Sequence, residues 1–180
     1  MPNAIIGPYL ADGQVGMPDM EVWPEASSQD FGKGALVTLV ADTGILKVTK
    51  VGNNTTTLIY GMAMHAASGT EDTDVYVQPL PPYVQFVMCV GTPSGDAAAS
   101  TSTYSYMCRA ELHCHGSVSP YHQYIDVTNI GTDASAGNAS IVIIKAAPLD
   151  NSAESYGLYK CKVADAFWQG TAGLDSAQPS

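Results

Sequence analysis

The sequence predicts an all-β fold, a single β-barrel or β-sandwich domain of about nine short strands behind an extended N-terminal arm. Three observations carry this. Short β-branched, alternating segments recur at regular intervals from Gly34 onward. Turn residues separate them, and no segment has convincing helical spacing. Before Gly34, Pro2, Pro8, Pro18 and Pro24 alternate with Gly7, Gly13, Gly16 and Gly32, a spacing that forbids a long helix and discourages a central strand.

The arm spans residues 1–33. Its apolar residues Ile5, Ile6, Tyr9, Leu10, Val22 and Trp23 are not those of a disordered tail. They are the candidate contact residues, because such a segment gains order by lying on its own domain or on a neighbour. The β domain spans residues 34–169. Strands are expected at 35–40 and 45–50, joined through Asp42–Thr43–Gly44, then at 56–66 and 74–78. Pro79, Pro81 and Pro82 break the chain before a strand at 83–90. A Gly/Ser/Ala/Thr loop follows, then strands at 104–114 and 121–127. The continuous apolar run at 140–145 predicts a central strand. Residues 156–163 alternate and close the series, 164–168 form a final turn or cap, and 170–180 are a polar tail. No clean internal repeat is visible.

Charged residues make up 13% of the chain, against roughly 25% in an ordinary soluble domain. Such a surface costs little to desolvate and suits protein–protein contact. With seven Lys and Arg and a net charge of −10, there is no basic stripe for nucleic acid or for a membrane surface. No apolar run approaches the roughly 20 residues that span a bilayer. The N-terminus lacks signal-peptide character, so synthesis and folding in the cytoplasm are expected. Four widely spaced cysteines, Cys89, Cys108, Cys114 and Cys161, read as free thiols.

Two motifs carry possible chemistry. Asp42–Thr43–Gly44 after an apolar strand is how an aspartic protease presents a carboxylate, and a homodimer would have to supply the second. A tight hairpin explains the same residues more simply. In the run from Cys108 to His115, alternation places Cys108, Ala110, Leu112 and Cys114 on one face and His113 and His115 on the other. Zinc ligands would not converge there, and the reading is buried thiols beside strand-end histidines; no metal or cofactor is expected. The tyrosines Tyr104, Tyr106, Tyr121, Tyr124, Tyr156 and Tyr159 suit an interface and strand packing equally.

Three runs, Phe31–Gly32–Lys33–Gly34–Ala35–Leu36–Val37–Thr38–Leu39, Gly44–Ile45–Leu46–Lys47–Val48 and Ile59–Tyr60–Gly61–Met62–Ala63, form one pattern. Tyr124–Ile125–Asp126–Val127–Thr128, Ile141–Val142–Ile143–Ile144–Lys145 and Glu154–Ser155–Tyr156–Gly157 continue it. Over residues 31–163 this resembles the capsid decoration (cement) proteins and related head proteins of tailed bacteriophages. The resemblance implies a virion structural protein without catalytic residues. It would bind the major capsid protein on the capsid exterior, as a dimer or trimer, and stabilise the shell. Two other classes compete: a ligand- or glycan-binding β module such as a fibre head domain, and the Asp42 dimeric protease.

Overall fold

The computed structural model describes residues 8–11, 14–52, 57–92, 107–114, 123–130, 139–146, 157–164 and 168. Among them the chain is all-β, with eleven strands and no helix. They are β1 (Tyr9–Leu10), β2 (Glu21–Pro24), β3 (Leu36–Asp42), β4 (Ile45–Lys50), β5 (Gly61–Ala63), β6 (Asp74–Pro79), β7 (Phe86–Gly91), β8 (Cys108–Cys114), β9 (Gln123–Ile130), β10 (Ile141–Ala146) and β11 (Leu158–Val163). The strands expected from residue 35 onward are all present. The expected arm supplies two more, β1 and β2, both paired within the chain's own sheets. The polar tail at 170–180 lies outside the described residues.

The second half forms a closed five-stranded barrel. Its order is β7-β11-β10-β8-β9, and parallel pairing of Val90 with Ile125 joins β9 back to β7. β10 is flanked on both sides, as its continuous apolar run requires. Alternate residues fill the interior: Phe86, Met88 and Val90; Ala110 and Leu112; Ile141 and Ile143; Tyr159, Cys161 and Val163. β1 lies outside the ring against the start of β7. Ile59 and Trp168 form a parallel bridge, so Trp168, from the expected capping segment, packs on this core.

The first half is a five-stranded sheet of order β2-β6-β5-β3-β4. It curls until Glu25 meets Val48 in a parallel bridge and the Ala26 N–H donates to the Val48 carbonyl at 3.0 Å. Trp23, Phe31, Val37, Leu39, Val48, Ala63, Val75 and Val77 line its inner side. On the opposite face Leu36, Val51 and Met62 join the barrel's core, while the first ring's interior forms a core of its own.

The expectation of no internal repeat is corrected here. The ring β2 to β6 and the ring β7 to β11 have the same pairing pattern. In each, the second strand pairs with the third and fourth, the fifth with the fourth and first, and the first meets the third in parallel. Aligned on the bridges Glu25–Val48 and Val90–Ile125, the registers match. Trp23, Val37, Leu39, Val48, Ala63 and Val75 then fall on Met88, Ala110, Leu112, Ile125, Ile143 and Tyr159, all inward-facing. The rings differ in closure. The second is sealed by strand pairing plus β1, and the first by the single bridge.

Candidate interaction surface

The arm is held by hydrogen bonds that imitate a strand ladder. Tyr9 pairs with Val87 and Leu10 with Phe86, and the Ala11 N–H donates to the Gln85 carbonyl at 3.1 Å. The Gln14 side-chain amide extends the ladder. It donates to the Gln85 carbonyl at 2.6 Å and accepts from the Gln85 N–H at 2.5 Å. Pro8 lies on Gly34, where an added Cβ would meet the Pro8 carbonyl oxygen at 2.1 Å.

The six candidate contact residues fall into three groups. Ile5 and Ile6 lie outside the described residues. Leu10 and Trp23 are half-buried and pack on the two cores. The Trp23 indole donates to Glu21 Oε2 at 2.8 Å and meets the Tyr60 ring edge-on at 5.9 Å. The Tyr60 hydroxyl donates to the same carboxylate, and burial followed by this bond pushes its pKa well above the ordinary phenol value. Tyr9 and Val22 are exposed. Val22 lies directly across from Tyr76 on β6, and each is 48% exposed. Val22 and Tyr76 thus form a cross-strand apolar pair in solvent.

Sequence reading missed Tyr76, Met20, Ile45 and Leu46, which are also exposed. Met20 precedes β2, and Ile45 and Leu46 lie on β4 across the unpaired part of the first ring. Alternation could have found Tyr76, since Val75 and Val77 point inward. The others need the strand order.

The titratable groups described form structural clamps. Asp42 ends β3 and Thr43–Gly44 is a two-residue hairpin turn, with positive φ at Thr43 (49°) and Gly44 (84°). The Asp42 carboxylate pairs with the Lys47 ammonium at 3.2 Å, and Glu71 and Asp72 bind the same ammonium. These bonds hold the Lys47 pKa well above the ordinary lysine value. Glu25, fully buried, accepts the Gly69 N–H at 2.7 Å and the Ser68 N–H at 2.8 Å. Asp126, also buried, accepts from the Thr128 N–H at 2.9 Å and the Asn129 amide at 2.8 Å, fixing the bulge of β9.

Along β8, Ala110, Leu112 and Cys114 turn inward, as alternation predicts, while His113 lies against the Tyr124 ring at 5.3 Å. Burial pushes the Cys114 thiol up to about 11, and the Sγ–H donates to the Val51 carbonyl at 3.3 Å. Among the described residues no three His, Cys, Asp or Glu side chains gather as a metal site; His115 lies outside them. Tyr124 and Tyr159 are core residues, and the other four tyrosines weighed for an interface lie outside the described residues. Among the described residues no helix is long and apolar enough to cross a membrane. No protein-family model matches this chain, and no curated protein or solved structure is significantly similar to it.

Proposed function

We propose that this chain is a non-enzymatic virion structural protein that binds and stabilises the outer surface of a phage capsid, with the major capsid protein as partner. One observation carries the reading. The outer face of the first ring presents Val22 and Tyr76 side by side in solvent, with Met20 exposed two residues before Val22. Apolar side chains grouped on a sheet face, in a chain with 13% charged residues, suit a protein partner. The Lys47 ion pairs and the Glu25 clamp brace the first ring, and a braced surface limits the ordering cost of docking.

Co-sedimentation of the purified chain with assembled phage shells tests the proposal. Binding is expected, with Tyr76→Lys reducing occupancy severalfold while the fold is kept. Absence from the shell pellet at saturating protein, or glycan binding in place of shell binding, would overturn it. Truncations should stop at residue 7, because Pro8 already packs on Gly34 and residues 21–24 form a strand of the first ring.

A further inference from the structure

The repeat makes the two rings comparable residue by residue, and they differ at one place. In the second ring the edge of β7 is covered by β1. Val87 there pairs with Tyr9, lies against Ala11 and Leu158, and is 6% exposed. The register places Val22 of β2 at the position of Val87. Glu25 is hydrogen-bonded toward β6, so strand alternation turns the Val22 N–H and C=O away from β6 and toward β4. Among the described residues, pairing on that side stops at the Glu25–Val48 bridge. Beyond it Val22, Ile45 and Leu46 are 48%, 54% and 42% exposed. The first ring therefore has an open seam where, in the second, β1 lies along β7.

We infer that this seam accepts an extended strand from a second copy of the chain, the Ile5–Ile6 segment of its arm, laid between Val22 and Leu46 as Tyr9–Leu10 is laid along Val87. The occupant's chemistry follows from the equivalent site, which takes an apolar dipeptide of the arm through backbone hydrogen bonds. Ile5–Ile6 is the other apolar dipeptide upstream of β1. It must come from another copy because its own tether is too short. Pro8 is held on Gly34, which precedes β3, while Leu46 lies opposite Ala41 near the far end of that strand. Leu36 to Ala41 alone covers about 16 Å of strand, whereas Ile5 reaches at most about 11 Å from Pro8.

Sedimentation equilibrium of the full chain, without shells, tests this. The parent should exceed its monomer mass of 18.8 kDa at micromolar concentration. The Leu46→Lys chain and the Ile5→Asp/Ile6→Asp chain should both fall to that mass with unchanged circular dichroism. A monomeric parent, or variants that keep the parent's mass, would overturn the inference. A second experiment does not depend on those variants folding. Chains carrying Ile6→Cys are mixed with chains carrying Leu46→Cys and gently oxidised. A disulfide joining one of each is expected. Its absence, or formation of the bond within one chain carrying both, also overturns the inference. Shell binding by a monomer would remove this inference and leave the proposed function standing; self-association without shell binding would do the reverse.

Discussion

The side-chain amide of Gln123 on β9 occupies the place of a missing strand beside Leu36 on β3. Its oxygen accepts the Leu36 N–H at 2.5 Å, and its nitrogen donates to the Leu36 carbonyl at 3.0 Å and to the Val51 carbonyl at 2.9 Å. All of these groups are buried, so the amide joins the barrel to the first ring where water does not compete. Replacing Gln123 with Leu keeps the bulk but strands one donor and weakens two acceptors. The expected loss is about 3 kcal/mol in urea unfolding. A loss below about 1 kcal/mol would mean that solvent or a shifted backbone satisfies Leu36.

The hairpin joining β3 to β4 carries a correctable strain. Thr43 is β-branched yet adopts φ of 49° in a turn that prefers Asn–Gly. Thr43 is exposed, so substitution disturbs no packing. Thr43→Asn should stabilise the protein by roughly 0.5–1 kcal/mol, raising the melting temperature by about 1–4 °C. Gly44→Ala should act in the opposite sense, because Gly44 sits at φ 84°. Equal melting temperatures for all three proteins would contradict this turn geometry.

The strands from residue 35 onward were legible because each alternates or, at 140–145, runs continuously apolar, and turn residues separate them. β2 was not, because Pro18 and Pro24 disguise it. Pro24 is nonetheless acceptable at its position, where its missing N–H would face the open seam rather than β6. The repeat was hidden because the rings conserve side-chain character rather than identity, as in Trp23 and Met88 or Val48 and Ile125. The β9 bulge also breaks the spacing. Ala110 and Leu112 are two residues apart, but their partners Ile130 and Ile125 are five apart. The apolar character of Val22 and Trp23 was readable, whereas their opposite fates, one in solvent and one on the core, follow from the side of β2 on which each falls.

Lys47 gives the first ring an alkaline limit. Its folded pKa is raised, chiefly by the hydrogen bonds from its ammonium to Glu71 and then Asp72, above the ordinary value of 10.5. The unfolded chain therefore loses this proton first as pH rises. The stabilisation is fully present below pH 10.5 and is lost as pH climbs toward the folded pKa. In Lys47→Met the three carboxylates lose their shared cation. The gap in urea midpoint between parent and variant should stay constant from pH 7 to about 10 and narrow above that. A gap that instead widens with alkalinity would contradict the assigned direction.

Gly34 decides whether the arm stays docked. It adopts φ of 87°, donates its N–H to the Ala63 carbonyl at 2.8 Å, and lies so close under Pro8 that a methyl group would sit 2.1 Å from the Pro8 carbonyl oxygen. That contact is with backbone, so no side-chain rotation relieves it. Gly34→Ala therefore meets two penalties, a left-handed conformation costing about 1–2 kcal/mol and a steric overlap that the arm can escape only by leaving. Leaving would break the pairing of Tyr9 and Leu10 with β7 and uncover Val87. Proteolysis under native conditions should then cut the variant within residues 8–14 well before the barrel is attacked, while the parent resists there. A variant that melts at the parent's temperature with an uncut arm would show that Pro8 does not rest on Gly34. The same substitution separates the arm's two roles. With Tyr9–Leu10 released, the seam beside β7 opens and becomes a second acceptor of the kind inferred beside β2, so the Gly34→Ala chain should associate more strongly than the parent in sedimentation.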